Sequence, residues 1–318
     1  MANKKVRALV LLSGGLDSIL AVKLLLEQGI EVIAVNFRTN FCGPSYARPA
    51  AEMLGVSLRE IDIRQDFLEV LKKPKHGYGA GMNPCIDCHA LMLKKSAEIM
   101  RQEGFSFVAT GEVLGERPMS QHKKALKIVE KEAGLEGYLL RPLSSRLLEP
   151  TIAEREGLID REKLMDISGR SRKKQINLAE KFGIKEYPTP AGGCALTQKG
   201  FSERLKELME HKPNFNSEDV DLIRFGRHFW LSDKLGIKYT QIILGRNEQE
   251  NEILKSVFQK GNILVLPDSF IGPAALICGK AVDESIIEKA KKLIIDFSPK
   301  ARNLPIEKLK FEINEKFL

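Results

Sequence analysis

The chain is short of the residues that disulfide scaffolds and membrane proteins depend on. It has five cysteines in 318 residues, an odd number without a secretion signal, which argues against a framework of structural disulfides. Cys42, Cys85, Cys88, Cys194 and Cys278 therefore point first to metal binding or sulfur chemistry. No stretch approaches the ~18 apolar residues that a bilayer-spanning helix needs. The opening, Met1 to Arg7, is basic and brief before an apolar strand begins, which is unlike a secretory leader. The expected compartment is the cytoplasm, with no membrane partner. Aromatic residues make up only 7%, and the single tryptophan, Trp230, reads more readily as a core or interface residue than as a stacking plate. The chain contains no internal repeat and no low-complexity tract, and its composition excludes collagen, coiled-coil arrays and wholesale disorder.

What is present is an ordinary globular mixture, 43% hydrophobic and 29% charged. At roughly 150 residues per domain the length predicts two domains, with a boundary near residue 200. The expected division is 1–200 and 201–318. A net charge of +8 biases the surface towards polyanions without approaching a histone-like excess.

Along the chain the hydrophobic period switches repeatedly between strand and helix. Val6 to Leu12 is a continuous apolar run. A turn at Gly14 and Gly15 follows, then a helical pattern through Leu16, Ile19, Leu20, Val22, Leu24 and Leu25, and a second strand from Glu31 to Asn36. Further cycles place a helix at Arg48 to Leu54, a strand at Ser57 to Ile63, a helix at Cys88 to Glu103 and a strand at Phe107 to Thr110. This alternation predicts an α/β fold with a doubly wound parallel sheet, whose ligands sit beyond the carboxyl ends of the strands. Lys72 to Pro84 breaks the periodicity and reads as a loop long enough to be functional. Asp160 to Gly183 reads as helical. Past residue 200, helices at Phe201 to Glu210 and Ser217 to Phe225 precede strands at Tyr239 to Leu244, Asn262 to Leu266 and Ala274 to Cys278, and a helix at Glu284 to Ile295. The pattern is a second, smaller α/β C-terminal domain.

Ser13-Gly14-Gly15-Leu16-Asp17-Ser18 joins the first strand to the first helix. Two glycines allow close backbone approach, the helix start presents free N–H groups, and the serines add hydroxyl donors, so the segment can cradle pyrophosphate. A tight capped turn is the alternative. The spacing is neither that of a Walker A loop nor that of a Rossmann fingerprint. The hexapeptide resembles the hallmark of the ATP pyrophosphatase, or PP-loop, family, whose fold is adenine-nucleotide alpha-hydrolase-like. The resemblance implies adenylation of a carbonyl oxygen by ATP, with Ser13, Gly14, Gly15, Asp17 and Ser18 on the phosphates and Asp17 also orienting Mg²⁺. It places Asn36 and Phe37 by the adenine, and Thr110-Gly111-Glu112 beside the nucleotide.

Cys85 and Cys88, in Asn83-Pro84-Cys85-Ile86-Asp87-Cys88, stand three positions apart where a helix begins, so both sulfurs can reach one centre. Cys194 follows Ala191-Gly192-Gly193. The residues alone leave several chemistries open: an iron–sulfur site, a persulfide or disulfide pair of Cys85 or Cys88 with Cys194, zinc completed by His89, His76 or Cys42, or inert thiols. Cys278 lies in an apolar run and reads as core packing. The segment from Asn83 resembles that of tRNA 2-thiouridine synthases, and the pair plus a distant cysteine resembles the iron–sulfur-dependent tRNA thiolation enzymes. That resemblance implies a [4Fe-4S] cluster on Cys85, Cys88 and Cys194, with an open iron that carries sulfide. His89 departs from the asparagine common after the second cysteine in that motif.

Ser168 to Glu186 carries a net +4, from Arg170, Arg172, Lys173, Lys174, Lys181 and Lys185 against Glu180 and Glu186. Such a cluster suits phosphate contacts, or is a solvated helix face. Gly169 to Gln175, Gly115 to Gln121 and Leu140 to Leu143 resemble segments of tRNA thiouridine synthase-like proteins. That likeness implies that Arg117 and Arg141 touch phosphate or substrate and that Arg170, Arg172, Lys173 and Lys174 contact tRNA. Gly226 to Trp230 and Leu244 to Asn251 resemble an RNA-binding module of ribosome-associated quality-control factors, with Arg227, His228, Trp230 and Arg246 as candidate RNA contacts. This module would stand in for the N-terminal RNA-binding domain of longer 4-thiouridine synthases. The function expected is ATP-dependent thiolation of a tRNA uridine at C2 or C4, with tRNA and a sulfide or persulfide donor as partners and room for a homodimer; the alternatives are a cluster-free persulfide relay, a PP-loop ligase or amidotransferase, and a non-enzymatic iron–sulfur RNA-binding protein.

Overall fold

The computed structural model describes residues 6–43, 45–188, 193–232, 239–259, 261–279 and 282–315. Two compact units divide the chain at Lys199 and Gly200. The first contains β1 (Arg7–Leu11), α1 (Leu16–Leu26), β2 (Glu31–Arg38), α2 (Ala47–Leu54), β3 (Ser57–Asp62), α3 (Arg64–Lys72), α4 (Cys85–Glu103), β4 (Phe107–Ala109), α5 (Lys123–Glu132), β5 (Leu139–Leu140), α6 (Ile152–Arg155) and α7 (Lys173–Lys181). Its strands pair in parallel in the order β3-β2-β1-β4-β5.

β1 is apolar from Ala8 to Leu11 because helices cover both of its faces. Ala8, Val10 and Leu12 pack with Ile19, Leu20 and Val22 of α1 and with Leu178 and Ala179 of α7. Leu9 packs on the other face with Leu93, Ala97 and Met100 of α4 and Val129 of α5. Strand order reverses at β1, with β2 on one side and β4 on the other. The carboxyl ends of β1 and β4 therefore flank the switch point where such sheets bind ligands.

The stretch from Asp160 to Gly183 is helical only in a short turn at Arg161–Lys163 and in α7. Between them Leu164 and Ile167 are buried, Ser168 bridges Leu114, and Gly169 takes φ +81°, which a continuing helix forbids. The helices α3 and α5 and the two-residue β5 complete the unit beyond what periodicity indicated.

The second unit contains α8 (Lys199–His211), α9 (Ser217–Leu222), β6 (Arg227–Ser232), β7 (Tyr239–Leu244), α10 (Glu248–Ser256), β8 (Asn262–Pro267), β9 (Ala275–Cys278), α11 (Glu284–Asp296) and β10 (Phe311–Glu315). Its strands run in the order β10-β8-β9-β7-β6 and every pairing is antiparallel, so it is a different kind of sheet from the first. Ile242, Leu244, Val265, Ala275 and Ile277 form one buried face under Ala290 and Ile294 of α11. Helix α9 stops short of Phe225. β6, α10 and β10 are additions to the pattern read from the sequence. Among the described residues no helix is long and apolar enough to cross a membrane.

Candidate nucleotide and thiol site

The chain leaves β1 and turns through Ser13–Gly15 into α1. Gly14 has φ +81°, and a Cβ there would lie 2.2 Å from the carbonyl carbon of Tyr46, so glycine is required. Ser13 Oγ accepts from the Gly15 amide at 3.3 Å and lies 3.2 Å from Ser18 Oγ, and the Ser18 hydroxyl donates to the Gly15 carbonyl at 2.8 Å. The first turn of α1 carries no side-chain cap, which leaves its N–H groups open to an anion. Gly111 closes the cradle from the β4 side, where a Cβ would come within 2.5 Å of the Ser18 amide nitrogen.

Asp17 faces this cradle. Burial pushes its carboxyl above the usual value, opposed by the charges of Arg172 and Arg117. Arg172 Nη2 donates to Asp17 Oδ2 at 3.1 Å. The other oxygen, Oδ1, is buried without a hydrogen-bond partner, as are both amide atoms of the fully buried Gln175. An orphaned carboxylate oxygen beside a phosphate cradle is a donor that suits Mg²⁺. Glu116 completes the cluster 3.8 Å from Arg172 Nη1, its carboxyl raised by burial and by the Asp17 charge. Sequence reasoning passed over Glu116 and Gln175, although both lie in segments it had singled out for their arginines.

Three expectations need correction. Arg172 is held against Asp17 beside the glycine turn, whereas Arg170, Lys173 and Lys174 are exposed and Lys174 Nζ donates to Asp166 at 3.0 Å. Asn36 donates to the Leu12 carbonyl at 2.9 Å beside the turn, but strand alternation sends Phe37 the other way, into the core with Ile63 and Leu93. Arg141 is an interior residue. Its side chain is 3% exposed and donates to Glu112 at 3.0 Å, Glu130 at 3.1 Å and the Leu126 carbonyl at 3.3 Å, which leaves it committed to the fold rather than to phosphate. Burial alone would push the Glu112 carboxyl up, but the Arg141 charge and the His89 hydrogen bond outweigh it and hold it at about 2. Thr110 also donates to Glu112, at 3.0 Å. Arg117 is exposed at the rim and is felt by both Asp17 and Glu116.

The loop after β2 links the cradle to the thiols. Tyr46 rests on Gly14, and in the same loop the Phe41 carbonyl accepts from the Ala195 amide at 2.8 Å, which brings residues 42 and 194 alongside. The Leu196 carbonyl in turn accepts from Met82 at 3.0 Å, drawing in the segment that leads to Cys85. Residues 189–192, with the expected Ala191 and Gly192, lie outside the described residues. Asn83 Nδ2 donates to Cys85 Sγ at 3.1 Å. Burial raises the Cys88 thiol well above its usual value, and the neighbouring Cys194, Cys42 and Cys85 sulfurs add to the shift. The loop from Lys72 to Pro84 is tied down by Asp87, which accepts from the amides of Lys75 and His76 at 3.0 and 3.1 Å. His76 bonds Glu132 and His89 bonds Glu112, each at 2.8 Å. Among the described residues no three His, Cys, Asp or Glu side chains are set closely enough for a single metal ion. Cys278 belongs to β9, and burial pushes its thiol up to about 12.

In the second unit His228 Nε2 donates to the Phe225 carbonyl at 2.8 Å, leaving Nδ1 to accept from the Gln241 amide at 3.1 Å. Arg246 is paired with Glu250, the Arg227 guanidinium lies 4.8 Å from the Phe297 ring centre, and the Trp230 ring lies 5.0 Å from that of His211.

Residues 4–152 match the family described as Thiamine biosynthesis protein (ThiI). The first unit is therefore similar to that family over a little less than half of the chain. Residues 226–316 match the NFACT protein RNA binding domain. Among curated relatives, a tRNA-specific 2-thiouridylase MnmA 3 of Phocaeicola vulgatus is 29% identical over 168 residues, covering 47% of this chain and 44% of its own. A tRNA-specific 2-thiouridylase MnmA 1 of Syntrophus aciditrophicus is 31% identical over 223 residues, covering 64% and 56%. The chain thus spans about half the length of those relatives. A crystal structure of a 4-thiouridine synthetase–RNA complex with bound ATP is similar at a TM-score of 0.39 and 17% identity, over 68% of this chain and 53% of that one.

Proposed function

We propose that the chain is an ATP-dependent tRNA sulfurtransferase, which adenylates a uridine carbonyl oxygen and replaces it with sulfur. The observation that carries this reading is that one loop serves two chemistries: Tyr46 packs on the pyrophosphate turn while Phe41 bonds the residue after Cys194. Carbonyl oxygen is a poor leaving group, and adenylation converts it into AMP. Ser13, Gly14, Gly15 and Ser18 hold the phosphates, Asp17 Oδ1 offers a ligand to Mg²⁺, and Arg117 adds positive charge at the rim. Fixed donors aimed at the developing pyrophosphate charge supply most of the rate in such transfers.

Cys85, Cys88 and Cys194 would hold a [4Fe-4S] cluster, which when bound supplies an open iron for sulfide. What supports that assignment is the backbone contact of Leu196 with Met82, which draws the segment after Cys194 towards the one that leads to Cys85 and Cys88. A cluster-free relay is the second reading, favoured by the Asn83 amide on Cys85 Sγ, which would stabilise a thiolate or persulfide there. The exposed Arg170, Lys173 and Lys174 are placed to meet RNA phosphates, and the match of residues 226–316 to an RNA-binding domain supports tRNA as the substrate.

The test is incubation with tRNA, ATP, Mg²⁺ and sulfide, followed by mass spectrometry of the digested nucleosides. Thiouridine and AMP should form together, the isomer distinguishing C2 from C4. Cys85→Ala and Cys194→Ala should lose thiouridine, and a wild-type protein that makes none, with or without iron reconstitution, overturns the reading.

A further inference from the structure

We infer that Cys42 is the thiol that takes up sulfur from an external persulfide donor and presents it to the site. The inference rests on the thiolation reading and names a residue that neither the cluster nor the relay uses. Of the cysteines gathered by the loop contacts, Cys42 is the exposed one, whereas Cys85, Cys88 and Cys194 are half-buried. A persulfide carried by another molecule can reach an exposed sulfur without unfolding anything.

The position of Cys42 is built by its neighbours. Phe41 is 1% exposed and packs edge-on against Phe67, ring centres 5.4 Å apart, which anchors the loop. Thr39 Oγ1 accepts from the Phe41 amide at 3.2 Å and donates to Cys42 Sγ at 3.4 Å. One hydroxyl therefore fixes the turn and orients the Cys42 sulfur. The Phe41–Ala195 bond then sets Cys42 beside Cys194, and the contact of Tyr46 with Gly14 keeps the same loop on the nucleotide cradle.

The chemistry balances without an outside oxidant. The Cys42 thiolate attacks the terminal sulfur of the donor persulfide, the donor S–S bond breaks, the donor leaves as thiolate, and Cys42 carries the persulfide. Release as hydrosulfide uses a dithiol reductant. Its first thiolate attacks Cys42 Sγ and expels hydrosulfide, and its second thiol resolves the mixed disulfide, so the dithiol is oxidised as the sulfane sulfur is reduced.

Loading is measured on the whole chain with glutathione persulfide, without tRNA or ATP, by alkylation and peptide mass spectrometry. The Cys42 peptide should gain one sulfur atom, and Cys42→Ala should lower total bound sulfane sulfur at least fivefold. Thr39→Val, which keeps the thiol but removes its donor, should slow loading severalfold with an unchanged circular dichroism spectrum. Sulfur found on Cys85, Cys88 or Cys194 with Cys42 unlabelled, or equal loading of Cys42→Ala, overturns the inference. Because this assay needs no tRNA, its failure is separate from a failure to form thiouridine.

Discussion

Replacing Arg141 with methionine separates a residue that holds the fold from one that holds phosphate. The Glu112 carboxyl is 6% exposed and held at about 2, against an ordinary 4.5, chiefly by Arg141 acting against burial. A difference of that size corresponds to about 3 kcal/mol, at ~1.4 kcal/mol per unit. It agrees with the ~3–5 kcal/mol lost when one partner of a buried ion pair is removed. Arg141→Met should therefore destabilise the first unit by about 3 kcal/mol, which at ~2 kcal/mol per molar urea moves its midpoint down by roughly 1.5 M. The assay follows far-UV circular dichroism, while fluorescence of the single Trp230 reports the second unit. The loss should appear in the first signal and not in the second. The sign of the pH dependence follows from the depressed carboxyl: its stabilisation is complete above pH 4.5 and disappears as pH falls towards about 2, so wild type and variant should converge on acidification. The double variant Arg141→Met with Glu112→Leu should recover much of the loss. An unchanged midpoint with a raised KM for ATP would refute the reasoning and return Arg141 to the phosphates.

Gly14→Ala places a Cβ against the Tyr46 backbone at φ +81° and should weaken ATP binding at least tenfold by calorimetry, whereas Gly29→Ala, at φ +72° with open space around it, should cost only ~1 kcal/mol of stability and leave ATP binding alone. In the second unit burial lowers His228 from 6.5 to about 4, so the fold keeps it neutral while the unfolded chain takes up a proton. The stability reported by Trp230 should be intact above pH 6.5 and fall by up to about 3 kcal/mol as pH drops towards 4, and His228→Gln should flatten that profile. Exchanging Arg170, Lys173 and Lys174 together for alanine should reduce the salt slope of tRNA binding by about 2, at ~0.7–0.9 per phosphate contact. An unchanged slope in filter binding would remove that face from the interface.

The order of elements around β1, the glycine turn and the start of α1 were legible because their signals are local: an apolar run, a turn residue, a period of 3.6. The same reasoning found β2 and β3 and the helix that begins near Cys85. It failed where an element was short or mixed in pattern, as with β5 and the irregular chain between Ile159 and α7. The direction of the strands in the second unit was also beyond it, since strand pairing joins distant segments and leaves only a weak mark on either one.

Tertiary structure alone decided the company each side chain keeps. Arg172 and Asp17 stand 155 positions apart, and nothing in either neighbourhood announces their pairing. Arg141 looked like a phosphate ligand until Glu112 and Glu130 closed around it, and Cys42 had no assignable role until Phe41 and Ala195 were joined. Residue type sets what a group can do, whereas burial and the charges brought beside it by folding set which of those things it does, because both act through space and not along the chain.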